Sequence, residues 1–197
     1  MCMDFLCILS YNISKKKGGV SMALNPELKN LINDLANVIR EIYSITGPIT
    51  DIDNIVKKMG GTIVEDSSLD SFSDGKIKKT GISSFEIAIS PLQGEERRNF
   101  TIAHELGHLF LHMGFKTNKE LWDSQNNITY YRNGNSDLEY QSNEFAAAFL
   151  MPQRDYKQIM DQNTVGNIVD TSAVAKFFHV SIDAAANRGK WLGYLRW

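Results

Sequence analysis

The sequence predicts an α+β domain: a small mixed sheet packs against helices, one helix pair carries the functional site, and a helical segment follows at the C-terminal end. Three observations predict it. Apolar residues recur at three- and four-residue intervals in several stretches, the mark of helices with one buried face. Short segments of alternating hydropathy lie between the early helical stretches and the later ones, as half-buried strands require. Two later stretches, 100–113 and 137–152, combine helical periodicity with histidines and carboxylates, residues that core helices rarely bury.

The first residues stand apart. Met1 to Ile13 is apolar but brief, contains Asp4 and has its lysines downstream, whereas a secretory signal places its charge before the apolar run. The run is also shorter than the roughly 20 apolar residues of a membrane span. Both cysteines, Cys2 and Cys7, fall here, so the rest of the chain has no disulfide framework and no thiolate metal site. That is the cysteine usage of a reducing cytoplasm. Lys17-Gly18-Gly19-Val20-Ser21-Met22 can be encoded by a purine-rich stretch resembling a bacterial ribosome-binding site before a start codon. Residues 1–21 are therefore read as a leader, either untranslated, with Met22 as the start, or disordered.

Residues 22–45 form an N-terminal helix and 46–197 the main domain. Asn25-Pro26 opens the helix with a capping side chain and a proline at the first helical position. Its apolar face is Leu28, Leu31, Ile32, Leu35, Ile39 and Ile42. A second helix starts near Asp51, buries Ile52, Ile55, Val56 and Met59, and stops at Gly60-Gly61. Thr62 to Glu65 reads as a strand, and Asp74-Gly75 as a hairpin turn between short polar strands. Phe85, Ile87 and Ile89 alternate with Glu86 and Ala88 in a strand that ends before Pro91. Residues 114–134 form a long polar connection, a length at which loops often serve function. Its aromatics, Trp122, Tyr130 and Tyr131, are expected to pin it to the body rather than to act in chemistry.

The chemistry concentrates in His104-Glu105-Leu106-Gly107-His108. Residues four apart share one helix face, so both imidazoles reach a single ion. A catalytic zinc site takes three protein ligands and keeps a fourth position for water, and Glu105 is placed to act as general base on that water. Ile102, Ala103, Leu106, Leu109, Phe110 and Met113 make the surroundings those of a packed helix. Gly107 lowers helix stability by about 1 kcal/mol against alanine, and what it provides is room for another element near the metal. A core helix with hydrogen-bonded histidines is the bland alternative, but three of the four histidines crowd into this segment, which that alternative leaves unexplained.

A third ligand must come from elsewhere. His112 lies one turn beyond His108, about 6 Å along the axis, and three ligands strung along a straight helix cannot converge on one ion. Leu111 stands where a helix-breaking glycine would be needed, so His112 is read as a last-turn residue facing the carbonyl end of the helix dipole. The stretch Asp137 to Pro152 reads as a second helix, ended by the Pro152 ring. Glu139, Ser142, Asn143 and Ala146 share one face, beside the apolar Phe145, Phe149 and Leu150. Small residues at 142 and 146 would let this helix approach, Glu139 would point at the metal, and Asn143 would hydrogen-bond a ligand histidine. Glu144 is the competing carboxylate on roughly the opposite face, and helical phase favours Glu139.

The run Arg98-Asn-Phe-Thr-Ile-Ala-His-Glu-Leu-Gly-His-Leu-Phe-Leu-His112, followed by Glu139-x-x-Ser-Asn-x-Phe-Ala146 and Phe149-Leu-Met-Pro152, resembles the ImmA/IrrE family of metallopeptidases. The family has alanine where Ser142 stands, a small-for-small exchange, and the likeness extends over about Thr46 to Leu195. It implies a zincin-like pair of active-site helices and a gluzincin-type site with one catalytic zinc ion, completed by Glu139. In zinc peptidases of this kind a strand such as Phe85–Ile89 borders the cleft and pairs with substrate backbone. The resemblance further implies a substrate, a helix-turn-helix repressor whose cleavage releases genes of a mobile element or a stress response.

Composition narrows the partners. A chain 43% hydrophobic and 22% charged is ordinary for a folded domain, and a net charge of -2 gives no broad attraction to nucleic acid or to a membrane surface. The C-terminal segment, about 170–195, carries Val174-Ala175 and Val180-Ser181 in a helix-turn-helix pattern. Its second helix offers Asp183 and three alanines where a DNA reader needs basic and amide side chains, so the segment is read as a packing or repressor-docking unit. The rival to a zinc endopeptidase is a non-catalytic metal-binding regulator that sequesters a repressor, and Glu105 argues against it, because a purely structural site has no use for a base. A His-His-Glu donor set accommodates manganese as well as zinc.

Overall fold

Asn25 caps the first helix through its side chain, which accepts from the Leu28 amide at 2.8 Å, and α1 (Pro26–Ile42) begins at the proline. The computed structural model describes residues 25–69, 74–125, 129–131 (backbone only) and 137–196; the leader lies outside them. Asp51 caps α2 (Ile52–Met59) in the same way, and Gly60 closes it at φ 95°, a left-handed turn that a side chain would strain. The apolar faces of both helices are buried as their periodicity requires, apart from Leu31, which is half-buried, and Ile42, which is exposed.

Strands β1 (Gly61–Glu65), β2 (Gly75–Lys79), β3 (Phe85–Ile89) and β4 (Thr129–Tyr131) form one sheet in the order β1-β3-β2-β4. The β1–β3 pair is parallel and the other two are antiparallel, with Ile63, Ile87 and Ile77 in register across the middle. Two expectations fail here. β3 lies between β1 and β2, so its backbone groups are already engaged and it cannot pair with a substrate strand; the edges belong to β1 and β4. Asp74-Gly75 is not a hairpin turn either, because Gly75 is the first residue of β2. The β2–β3 turn is made by residues 80–84, where the Thr80 and Gly81 amides donate to the Ser84 carbonyl.

The long α3 (Glu95–Leu111) packs against β2 and β3 on one side and α5 (Asp137–Leu150) on another, and α5 in turn packs on α1. Leu28, Ile32, Leu35 and Ile39 of α1 are therefore buried in the same core as Phe145 and Phe149 of α5, Leu106 and Phe110 of α3, and Phe85 of β3. The connection after α3 contains a short helix, α4 (Lys119–Ser124). Its Trp122 stands edge-on to Phe115 at 4.9 Å and donates to the Ile82 carbonyl at 2.6 Å, fastening the connection to the body. The side chains of Tyr130 and Tyr131 lie outside the described residues.

Pro152 ends the α5 run, and α6 (Gln153–Gln162) follows, burying Tyr156, Ile159 and Met160. A two-stranded hairpin, β5 (Thr164–Val165) and β6 (Ile168–Val169), leads to α7 (Thr171–Phe178) and α8 (Ile182–Trp191). The last two make the expected helix-turn-helix: His179 turns the chain at φ 54° and the Ser181 side chain caps α8. No helix among the described residues is long and apolar enough to cross a membrane.

Arg188 ties this C-terminal segment to the rest. It is 2% exposed and donates to Glu144 Oε1 at 3.0 Å, Asn33 Oδ1 at 2.7 Å and the Met151 carbonyl at 3.1 Å. Asn33 also donates to Glu144 Oε1 at 2.7 Å, so α1, α5 and α8 meet at one buried charge pair. Removing one partner leaves the other charged and buried. Glu144→Leu is expected to lower unfolding free energy by about 3–5 kcal/mol in denaturant titration, and Glu144→Leu with Arg188→Met to recover much of that loss.

Candidate metal centre

Gly107 decides how near α5 comes to α3. A Cβ at this position would lie 3.1 Å from the Ser142 carbonyl oxygen and 2.9 Å from its Cα, the second a distance that Cβ atoms essentially never show. The bare glycine face and the small Ser142, which is fully buried, thus let the two helix backbones touch. Their approach brings together ligand types that lie far apart in sequence. His104 Nε2 and His108 Nε2 are 3.1 Å apart, and the Glu139 carboxylate oxygens sit 3.1 Å from the first and 3.3 Å from the second. These residues form the candidate metal-binding group found among the described residues, and all three are buried.

The spacing fits a metal. Bonds of about 2.0–2.1 Å arranged tetrahedrally place donor atoms about 3.3 Å apart, and the three separations observed lie close to that edge. Burial alone would raise the Glu139 pKa, but hydrogen bonds and charge from His104 and His108 outweigh it and hold the carboxyl down at about 2. Glu139 is thus an anion at neutral pH, as a ligand to a divalent cation must be.

The ligand rings are held from behind. His104 Nδ1 lies 2.9 Å from Asn143 Oδ1, one turn beyond Glu139 on α5, where helical phase placed it. His108 Nδ1 lies 2.9 Å from His112 Nδ1, and His112 Nε2 lies 3.1 Å from Gln141 Oε1. His112 does occupy the C-terminal cap of α3, but its ring is 3% exposed and turned onto His108 rather than onto the helix carbonyls. Its reading as a dipole-facing cap residue is therefore corrected. The signal that points to His112 and Gln141 is a third histidine one turn past a ligand and an amide two residues past another. Glu144, the competing carboxylate, faces the other way, into the Arg188 pair.

Glu105 is 1% exposed and lies against β2, where a Cβ on Gly75 would meet Glu105 Oε1 at 3.0 Å and Thr101 Cγ2 at 2.7 Å. The glycine that the sequence suggested for a turn is needed for this close approach to the carboxylate. A cavity of about 570 Å³ opens between α3, α5 and α8, lined among others by Phe100, Tyr140, Asn143, Ala147, Asp183 and Trp191. Asn143 is shared between this cavity and the His104 ring.

Two substitutions test the packing. Gly107→Ala raises intrinsic helix propensity by about 1 kcal/mol, yet the clash falls on backbone that cannot step aside. It is expected to lower stability by about 1–3 kcal/mol in denaturant unfolding and to weaken divalent-cation binding, because relief of the clash separates the two helices. Gly75→Ala presses on the Thr101 and Glu105 side chains rather than on backbone. It is expected to leave divalent-cation affinity unchanged in a chelator competition while displacing the Glu105 carboxylate, read in a crystal structure of the variant.

Comparison with known proteins gives a family and a fold. No curated protein matches the chain. Among solved structures, a Mycobacterium tuberculosis transcriptional regulator superposes with a TM-score of 0.51 at 15% identity. That match covers 95% of this chain and 50% of the other, so the chain spans about half the length of that protein, and what the two share is the fold. The profile described as peptidase M78, IrrE N-terminal-like domain, matches residues 63–190. That span is more than half of the chain and takes in both α3 with its histidine pair and α5 with Glu139, and the protein belongs to this peptidase family.

Proposed function

We propose that the protein is a zinc-dependent endopeptidase that cuts a helix-turn-helix repressor, releasing genes of a mobile element or a stress response. The observation that carries this reading is the convergence of His104, His108 and Glu139 from two helices, with a buried carboxylate, Glu105, next in sequence to the first ligand. A zinc ion at this group supplies Lewis acidity, which lowers the pKa of water and polarises the scissile carbonyl. The three ligands would hold it, while Asn143 and His112 steady the rings of His104 and His108.

Glu105 then takes the proton from the attacking water and delivers it to the leaving amine nitrogen. Its tight seat under Gly75 limits the positions the carboxylate can take during these transfers. The substrate chain runs past the cavity between α3, α5 and α8, and the C-terminal helices serve as its docking wall. Asp183, Asn187 and Trp191 of α8 line that cavity, and Arg188, a basic residue of the helix, is buried against Glu144. In this reading neither nucleic acid nor a membrane surface is a partner, and the protein acts in the cytoplasm. The solved protein of similar fold is described as a transcriptional regulator, which suits a role in gene control.

A non-catalytic regulator that merely sequesters a repressor is the competing reading, and Glu105→Gln separates the two. The peptidase reading expects the variant to bind zinc as the parent does, while cleavage of the repressor encoded beside its own gene falls by about 10²–10⁴-fold. Electrophoresis of the repressor after incubation with zinc-loaded enzyme reads the result. Undiminished cleavage by the variant, or an undiminished effect on the repressor with no cleavage by either protein, overturns the proposal.

A further inference from the structure

His112 and Gln141 are buried polar residues that the hydrolytic step does not use. They are 3% and 5% exposed, and an unsatisfied polar group at such depth is destabilising, so their pairing calls for an explanation. Gln141 Oε1 lies 3.1 Å from His112 Nε2, and His112 Nδ1 lies 2.9 Å from His108 Nδ1. Two facing Nδ1 atoms make a hydrogen bond only if one carries a proton and the other a lone pair. The chain of contacts therefore has a direction, and its far end sets it.

An amide oxygen can only accept, so the proton between Gln141 and His112 sits on His112 Nε2. A neutral His112 then offers a lone pair at Nδ1, and His108 must donate from its own Nδ1. This leaves His108 Nε2 with its lone pair free toward His104 Nε2 and Glu139, the position of a metal ligand. The opposite polarity would place the proton on His108 Nε2 and block it. His104 obeys the same rule through a shorter path, since Asn143 Oδ1 at 2.9 Å accepts from its Nδ1.

We propose that His112 and Gln141 form a one-way hydrogen-bond relay that fixes the tautomer and the ring plane of His108 for metal binding. His112 is thus a positioning residue, acting through His108, and Gln141 supplies the polarity from α5. The relay rests on the reading of His104, His108 and Glu139 as metal ligands. It also joins the two helices a second time, so the backbone approach at Gly107 and the orientation of His108 are set by one packing arrangement.

Two measurements on the full chain test this. Long-range ¹H–¹⁵N correlation spectra of the zinc-loaded protein report which ring nitrogen of each histidine is protonated. The relay requires neutral His112 protonated at Nε2; a proton on His112 Nδ1, or a doubly protonated ring, overturns it. Zinc affinity, measured by competition with a chromogenic chelator, is expected to fall about 10–100-fold in His112→Phe and in Gln141→Leu. Gln141→Glu keeps the acceptor and is expected to retain at least the parent affinity, a rescue that loss of packing would not produce. Should His112→Phe fail to fold, Gln141→Leu and Gln141→Glu carry the comparison. Affinities within about 3-fold of the parent in the folded leucine and phenylalanine variants overturn the relay while leaving the metal centre standing. Failure of the parent chain to bind zinc at all removes the metal reading itself, and the relay with it.

Discussion

The candidate metal centre depends on the close approach of α3 and α5 at Gly107 and Ser142. Gly107 presents no Cβ to Ser142, so α3 and α5 meet at a distance that any other residue would prevent. A carboxylate has a short reach, and a histidine ring is rigid. The close approach of the helices leaves donor separations of 3.1–3.3 Å between His104, His108 and Glu139. The glycine is unfavourable to an isolated helix, and that local penalty is offset by assembly of a three-donor group that neither helix contains alone.

The same helix α5 manages two buried carboxylates by turning them apart. Glu139 and Glu144 are five residues from each other, which at 100° per residue separates them by about 140° around the axis. Glu139 faces the histidines and is held ionised by them, whereas Glu144 faces Arg188 and Asn33. The core is thus bounded by two polar nodes on opposite flanks of one helix. One fastens the C-terminal segment and α1, and the other gathers the site, so a shift of α5 disturbs both.

Much of this was legible because it depends on local spacing. The caps at Asn25 and Asp51, the stop at Gly60, the strand Phe85–Ile89 and the phase that separates Glu139 from Glu144 all follow from a residue and its neighbours within a turn or two. What was not legible depends on partners distant in sequence. Alternation identifies β3 as a strand but is silent on whether it lies at an edge, and the parallel β1–β3 pairing that buries it joins segments about twenty residues apart. Gly75 reads as a turn residue from its dipeptide, yet its physical reason is the Glu105 side chain thirty positions on. His112 fails the test for a ligand on a straight helix, and that argument holds. The error was to send its ring to the helix carbonyls, when a neighbouring helix offered Gln141. The signal for α6 was present in Tyr156, Ile159 and Met160, at helical spacing directly after Pro152.

The C-terminal segment shows how a local pattern and its use can part. Residues 171–191 fold into two helices with a tight turn, as the pattern requires, but a pattern of turn and apolar positions says nothing about which face is left for a partner. Positions spaced by four along α8 settle that face here. Asp183, Asn187 and Trp191 line the cavity shared with Asn143, and the buried Arg188–Glu144 pair lies at the same cavity. One of the two basic side chains of α8, Arg188, binds this helix to α5. A segment anchored through a buried charge to the helix that supplies Glu139 is mechanically part of the metal centre. In the proposed peptidase the anchoring of α8 through Arg188 and the shape of the cavity that α8 lines are one structural property.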